Sequence, residues 1–307
     1  MTTSPSDGAE AASSPDVSLA TPLNSSGVRA SHWYYLHACP VCGSEDLVHY
    51  CRVKSCFSPG EFICYERCRG CGTVIRNPRL PDLARLDRYE HEELRPQQLE
   101  IVPKSQVHYA YMMRVINRYV SKSSGRRLFD FGCGSGGFLL EARKAGFEVM
   151  GLELSKYLAE HVIEEHEIPV FQGLITDDEF ADERFDVIVS SQVFEHLLDP
   201  RQTLESVREH LNSSGLLLIE VPNLRAIQER LRRGATMDDS HLFYFTADSL
   251  SQMMESCGFK VLRVEEGLRP YRFGAARSAP DFVHAVGERV FSALQVKTGL
   301  SVLARLA

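Results

Sequence analysis

The sequence lacks any apolar run near the length that crosses a bilayer, which is about 20 residues. Its amino terminus also lacks the basic segment followed by an apolar segment that marks a secretory signal. We therefore expect no membrane segment and a cytoplasmic location, where thiols stay reduced. The nine cysteines then indicate metal binding or buried thiols before they indicate disulfides.

Positive charge is also in short supply. The chain has 34 Lys and Arg against 41 Asp and Glu, a net charge of -7. A protein that grips phosphates normally presents a basic face, so this balance disfavours a nucleic-acid partner. The length of 307 residues and the 44% hydrophobic content allow one large domain with a smaller one. No pattern in the sequence indicates an oligomeric state.

Composition divides the chain into four parts. Residues 1–31 are rich in Ser, Ala, Thr and Pro without an apolar period, which predicts a disordered tail. Residues 32–81 hold most of the cysteines and predict a small metal module. Residues 82–124 form a polar linker that leads into a helix over Lys104–Ser121, and residues 125–307 form the largest domain.

Strands and helices alternate from residue 125 onward. The predicted strands are Arg127–Phe131, Phe147–Leu152, Pro169–Gln172, Phe185–Ser190 and Leu216–Val221. The helices between them cover Phe138–Ala145, Ser155–His166 and a segment around Leu204–Leu211. Further on we predict a helix over Asp248–Cys257, a strand over Phe259–Val264, a helix over Asp281–Leu294 and an apolar segment at Leu300–Leu306. This alternation predicts parallel pairing in a three-layer α/β sandwich.

A glycine-rich turn follows the first predicted strand. Asp130 precedes glycines at 132, 134 and 137, and such a strand–turn–helix unit forms a cofactor cradle at the carboxyl edge of a sheet. Glu153 ends the next strand, where a carboxylate can accept the ribose hydroxyls of an adenosine. The glycine spacing alone also permits a nicotinamide dinucleotide. Asp130 favours a methionine ammonium instead, because a carboxylate is a poor neighbour for a diphosphate.

Two CxxCG motifs form the second chemical signal. Cys39 and Cys42 make the first pair, and Cys68 and Cys71 make the second. Four thiolates at this spacing can surround Zn²⁺ tetrahedrally, and a site filled by four protein ligands is structural rather than catalytic. Two disulfides are the alternative, and Cys64 could replace Cys68 in a less regular site.

From about Lys104 to Ala307 the chain resembles the class I S-adenosylmethionine-dependent methyltransferases. The acid and glycines at 130–136 match the first motif of that family, and four later segments follow in the family's order: Phe185–Val189, Gln192–Pro200, Glu220–Asn223 and His241–Phe259. The resemblance implies a Rossmann-like sandwich whose last strand is antiparallel. It also implies S-adenosylmethionine as cofactor.

The resemblance implies a set of cofactor contacts. The methionine part would lie against Asp130, Gly132, Gly134 and Gln192. Glu153 would accept the ribose hydroxyls, and Leu154 and Leu174 would flank the adenine.

The zinc motifs in front of this core resemble a narrower group. Asn77-Pro78 and Tyr89 complete its pattern, which is similar to the zinc-module methyltransferases of deoxysugar and natural-product pathways. That likeness implies C- or O-methylation of a sugar or secondary-metabolite intermediate, which can be nucleotide-linked. It also implies His241 as general base and Tyr89 facing the substrate. Ser240 departs from the group, which has glutamate there.

Other residues near these motifs have competing interpretations. His196 is a second candidate base, since histidine suits proton transfer near neutral pH. Glu195 could orient a histidine, but we expect it to cap the following helix. Arg225, Arg230, Arg232 and Arg233 could bind a phosphate or form a solvated helix face.

Three other functions stay open at this point. An rRNA or tRNA base methyltransferase can also carry a four-cysteine zinc module. A nicotinamide-dependent oxidoreductase fits the glycine spacing. A non-catalytic cofactor-binding scaffold would use its zinc module to bind a partner protein.

Overall fold

The computed structural model describes residues 34–54, 62–79, 99, 101–120, 125–177, 180–225, 240–267 and 299–307. The expected tail at 1–31, Tyr89 and the helix over Asp281–Leu294 lie outside these residues. In the described part, no helix is both long and apolar enough to span a membrane.

A seven-stranded sheet forms the centre of the fold. Its strands are β4 (Arg127–Phe131), β5 (Glu148–Glu153), β6 (Val170–Gln172), β7 (Phe185–Ser191), β8 (Leu211–Pro222), β10 (Phe259–Gly267) and β11 (Gly299–Leu306). The order is β10-β11-β8-β7-β4-β5-β6. The strands from β8 to β6 pair in parallel, and β11 pairs antiparallel with β10 and β8. This confirms the mostly parallel sheet with a terminal antiparallel strand.

Helices cover both faces of this sheet. They are α1 (Ile101–Tyr119), α2 (Gly137–Lys144), α3 (Lys156–His166), α4 (Pro200–Glu209) and α5 (Ala247–Ser256). The expected N-cap is present at α3, where the Ser155 side chain accepts from the Leu158 N–H. The apolar side chains of the sheet fall into two separate cores, one on each face, as a three-layer sandwich requires.

The cysteine-rich segment forms a second, four-stranded sheet. Its strands are β1 (Leu47–Lys54), β2 (Phe62–Cys68), β3 (Val74–Arg76) and β9 (Phe243–Tyr244), paired antiparallel in that order. β9 comes from a late part of the chain, more than 160 residues after β3. The module is therefore joined to the large domain by strand pairing, which the sequence did not predict.

Candidate active site

The carboxyl ends of the parallel strands meet at one edge of the large sheet. Asp130 lies near the end of β4, Glu153 ends β5, and Gln192 follows β7 directly. Neighbouring parallel strands bring these positions together, because equivalent ends lie side by side. This edge is where an open α/β sheet binds a ligand.

Two glycines shape the turn after β4, each for a different reason. Gly132 has φ +81°, and a Cβ there would lie 2.3 Å from Cγ2 of Val193. Gly132 is thus required by backbone conformation and by contact with the loop after β7. Gly134 has φ +54°, but a Cβ there would meet nothing within 4 Å. The space over Gly134 is open to a ligand.

Two buried carboxyl groups face this turn. Glu153 accepts hydrogen bonds from the Gly134 N–H at Oε2 and from the Ser155 N–H at Oε1, both at 2.9 Å. Burial raises the pKa of Glu153. Burial, and secondarily the charge of Glu153, raise the pKa of Asp130 to about 8. Two acids held in so little water favour a cationic ligand.

The other expected cofactor contacts lie along the same edge. Leu154 is half-buried after β5, and the Leu174 side chain is 47% exposed after β6. Gln192 has φ +64°, which is unusual for a residue with a side chain. Its N–H donates to the Glu220 carbonyl at 2.8 Å. Backbone strain of this kind is concentrated at ligand-binding sites, so the conformation agrees with the expectation that Gln192 contacts a ligand.

Two histidines from distant segments meet beside this edge. The rings of His196 and His241 have centroids 4.7 Å apart. Nδ1 of His196 lies 3.1 Å from the Ser240 carbonyl, which can only accept, so the proton is on Nδ1 and Nε2 is the acceptor of the neutral ring. Ser240 thus uses its main chain to orient the neighbouring candidate base.

Glu195 does not cap the following helix, so that expectation is wrong. Asp199 caps α4, accepting from the N–H groups of Arg201 and Gln202. Glu195 is instead fully buried in a short 3₁₀ turn at Phe194–His196. Its carboxylate and the ring nitrogens of His196 and His241 offer atoms that all lie within 4.8 Å of one another. The backbone connects the segments too, since the Leu242 N–H donates to the Glu195 carbonyl at 2.7 Å.

His241 is also held by the cysteine-rich module. The Tyr65 hydroxyl on β2 donates to the His241 carbonyl at 3.3 Å. The Tyr65 ring packs edge-on against Tyr244 of β9, and the Tyr244 ring in turn contacts that of His241. The module is therefore part of the wall that positions a candidate catalytic side chain.

The four CxxC cysteines come together within the module. Their sulfur atoms lie within 4.8 Å of one another, with Cys39 Sγ 3.8 Å from Cys71 Sγ and Cys42 Sγ 3.5 Å from Cys68 Sγ. No disulfide joins these four, and Cys64 is not in the group. The hydrogen bond with Cys39 lowers the pKa of Cys71 to about 5. Four clustered sulfur donors fit a tetrahedral zinc ion.

Several residues remain outside the site or outside the described part. Arg225 is described and pairs with Glu266 at 3.6 Å, while its side chain is 68% exposed. The other three arginines of that run and Tyr89 are not described. The sequence analysis named neither His108 nor Ser191 and placed Glu220 only in a family segment, but the fold brings these three together at the carboxyl edge. A polar residue in an otherwise apolar helical row was the one signal available for His108.

Comparison with known proteins agrees with this geometry. Residues 104–264 match the profile of a family described as the methyltransferase domain. The chain belongs to this family, and its fold is that of the class I S-adenosylmethionine-dependent methyltransferases. The family favours that cofactor over the nicotinamide dinucleotide which the glycines alone permitted.

Individual relatives cover the chain in part. It is 33% identical over 107 residues to a ubiquinone biosynthesis O-methyltransferase of Alkalilimnicola ehrlichii, a match that spans 32% of this chain and 42% of the relative. It is 24% identical over 215 residues to O-methyltransferase resE of Aspergillus sclerotiorum, spanning 64% of this chain and 78% of that protein.

One solved structure supports the fold. It is a chain from the complex of the Haloferax volcanii Trm112 methyltransferase activator with its methyltransferase. The TM-score is 0.54 at 16% identity, covering 71% of this chain and 96% of that chain. A likeness at this identity shows the fold alone.

Proposed function

We propose that this protein transfers a methyl group from S-adenosylmethionine to carbon or oxygen of a small acceptor, a sugar or a secondary-metabolite intermediate. The observation that carries the proposal is the pair of buried acids, Asp130 and Glu153, beside a glycine turn that is open at Gly134. The relative named as a ubiquinone biosynthesis O-methyltransferase belongs by name to a small-molecule pathway, which agrees with such an acceptor.

Each cofactor contact has a stated role in this proposal. Asp130 and the main chain at Gly132 and Gly134 hold the methionine part, and Gln192 lines its other side. Glu153 accepts the ribose hydroxyls, and Leu154 and Leu174 flank the adenine. S-adenosylmethionine supplies an activated methyl group, so the protein must align the acceptor and remove its proton.

We assign the proton removal to His241. Its ring lies against that of His196 and beside buried Glu195, in a wall built by the cysteine module. Proton acceptance by imidazole suits a hydroxyl and also a carbon next to a carbonyl, whose enolate attacks the methyl group. His196 is the alternative base, and Tyr89 is proposed to face the acceptor.

Zinc is proposed as a structural ion in the four-cysteine cluster. Cys39, Cys42, Cys68 and Cys71 would fill its coordination sphere, leaving no position for the acceptor. The ion would hold β2 and β3 in place, and through them the segment that carries His241. A cytoplasmic location agrees with four reduced thiols and stays a prediction.

Cofactor binding is the first test of the proposal. Calorimetric titration should give micromolar affinity for S-adenosylmethionine and no heat with NAD. Glu153→Ala should weaken binding at least tenfold, because it removes the ribose acceptor and the support of Gly134. Glu148→Ala is the matched control, an exposed acid at the other end of the same strand. Preference for NAD, or equal loss in both variants, would overturn the assignment.

The base assignment has a separate test. His241→Gln should lower kcat by a hundredfold or more with an accepted substrate, in line with the loss of a general base. Affinity for S-adenosylmethionine should stay within about twofold, since His241 is not placed among its contacts. His196→Gln is measured alongside. If only that variant loses turnover, the base is His196; if neither does, proton transfer by this pair is wrong.

A further inference from the structure

A buried polar cluster joins helix α1 to the carboxyl edge of the large sheet. His108 Nε2 lies 2.8 Å from Glu220 Oε2, and the Ser191 hydroxyl donates to the same oxygen at 2.7 Å. The His108 and Glu220 side chains are 10% and 5% exposed. We call these three residues the Glu220 cluster. It shares no residue with the His196–His241 pair.

Each residue of the Glu220 cluster is the polar last member of a row of otherwise apolar side chains on one face of a strand or helix. Alternate residues of a strand share one face of the sheet, and residues four apart share one face of a helix. The rows are Leu128–Asp130 on β4, Val187–Val189–Ser191 on β7, Leu216–Leu218–Glu220 on β8 and Ile116–Met112–His108 on α1. The apolar members of every row belong to one core, so the polar ends share one face and one edge.

Strand register relates the cluster to the cofactor edge. Asp130 is opposite Val189, and Ser191, two residues further along β7, is opposite Glu220. Two strand spacings of about 4.8 Å and two residues of about 3.3 Å separate the backbones of Asp130 and Glu220 by roughly 12 Å. Their side chains project from the same face of the sheet. The Gln192 N–H donates to the Glu220 carbonyl, so this residue also borders the loop that lines the cofactor.

Packing alone does not account for the cluster. The Ser191 hydroxyl donates to Oε2 of Glu220, and Nε2 of His108 lies 2.8 Å from the same oxygen, so two side chains fix the position of this carboxyl group. With His108 neutral and donating from Nε2, the cluster carries the negative charge of Glu220, and holding a charge away from water is costly. A negative charge buried at the carboxyl edge of the sheet is therefore better explained by a positively charged ligand than by packing.

We propose that Glu220, held by His108 and Ser191, attracts the sulfonium group of S-adenosylmethionine and so distinguishes the cofactor from its product. This proposal rests on the proposed function. Transfer breaks the S–CH₃ bond, and its electron pair stays on sulfur, leaving an uncharged thioether in S-adenosylhomocysteine. A fixed carboxylate strengthens the binding of the positively charged cofactor. After transfer the sulfur has no charge, so this attraction is absent for the product.

The test compares two ligands that differ in this charge. Calorimetric titration of Glu220→Gln should show about tenfold weaker binding of S-adenosylmethionine and less than twofold change for S-adenosylhomocysteine. Glu148→Gln is the matched control, an exposed acid at the opposite edge, and should leave both affinities unchanged. Equal loss for the two ligands, or no loss, would overturn the proposal. Failure of the wild type to bind either ligand would instead count against the proposed function.

A milder variant covers the case in which Glu220→Gln does not fold. Ser191→Ala removes one donor from Glu220 and leaves the charge and the His108 contact in place. It should shift the ratio of the two affinities in the same direction, by about two- to threefold. His108→Gln, which keeps a donor within reach, should retain the preference for the charged ligand. A ratio unchanged in Ser191→Ala and Glu220→Gln alike rejects the role.

Discussion

Asp130 combines burial with a neighbouring acid, and its ionisation affects stability as well as binding. Its pKa is raised to about 8 in the folded chain, whereas an unfolded aspartate ionises near pH 4. An acid with a raised folded pKa stabilises the fold below its unfolded pKa, and that stability is lost as pH rises through the folded value. The ionised carboxylate of Asp130, which destabilises the folded chain, is also the form that attracts a cation. Binding and stability therefore pull in opposite directions at this residue.

Asp130→Asn tests this conflict. Without cofactor, the variant should unfold at a higher temperature than the wild type at pH 9, by about 2 °C or more, and the difference should shrink toward pH 4. Its affinity for S-adenosylmethionine should fall at least tenfold at pH 8. Thermal unfolding at several pH values measures the first effect. Asp182→Asn, at an exposed position, is the control. A variant less stable than the wild type at pH 9 would contradict the argument.

At the scale of elements, β9 ties the cysteine module to the large domain. β3 follows the second CxxC pair by a few residues and pairs with β9, which begins two residues after His241. Side chains of the module and of the large domain also share one hydrophobic core. The strands that carry Asp130 and Glu153 belong to the other sheet. Loss of the proposed zinc ion should therefore disturb His241 more than the edge of the large sheet that carries Asp130 and Glu153.

Metal removal tests whether the ion affects His241 more than cofactor binding. Purified protein should contain one zinc ion per chain, and Cys39→Ser should lose it while Cys51→Ser, in the same module but outside the cluster, should keep it. In the zinc-free protein we expect turnover to fall at least tenfold and affinity for S-adenosylmethionine to change less than threefold. Metal analysis, calorimetry and an activity assay check the three claims. Equal loss of binding and turnover would mean that the ion supports the whole fold.

The same metal analysis has a second use. Glu195, His196 and His241 form the other group of closely placed side chains in the described residues that could bind a metal ion. Zinc retained by Cys39→Ser would point to this group. The metal ion would then have to be removed from this group before the activity of the His241 variant is measured.

At the scale of the whole molecule, the net charge of the protein favours a small acceptor over RNA. The net charge is -7, and gripping a phosphate backbone requires a basic surface that offsets it. We expect binding of a structured RNA to be weaker than micromolar at physiological salt. Fluorescence anisotropy with a labelled RNA hairpin, at low and physiological salt, checks this. Tight binding that weakens steeply with salt would restore the RNA methyltransferase alternative.

Much of this molecule follows from the sequence because its signals are local. Alternation of apolar segments and turns predicted the strands from β4 to β8 within a few residues, except that β8 begins earlier, at Leu211. Asp130, the glycines and Glu153 lie next to strand ends in the sequence, and parallel strands bring such ends to one edge. The two CxxC pairs needed only their spacing, because each pair forms a turn that is complete within five residues.

Tertiary structure decided what depends on distant segments. His241 meets His196 because the Leu242 N–H bonds to the Glu195 carbonyl, and β9 joins the module's sheet by pairing across more than 160 residues. The contact of His108 with Glu220 spans 112 residues. No period or motif encodes such contacts, since they depend on which faces of a helix and a sheet pack together. The same reason explains Glu195, which the neighbouring sequence marked as a helix cap and the packing buried beside two histidines.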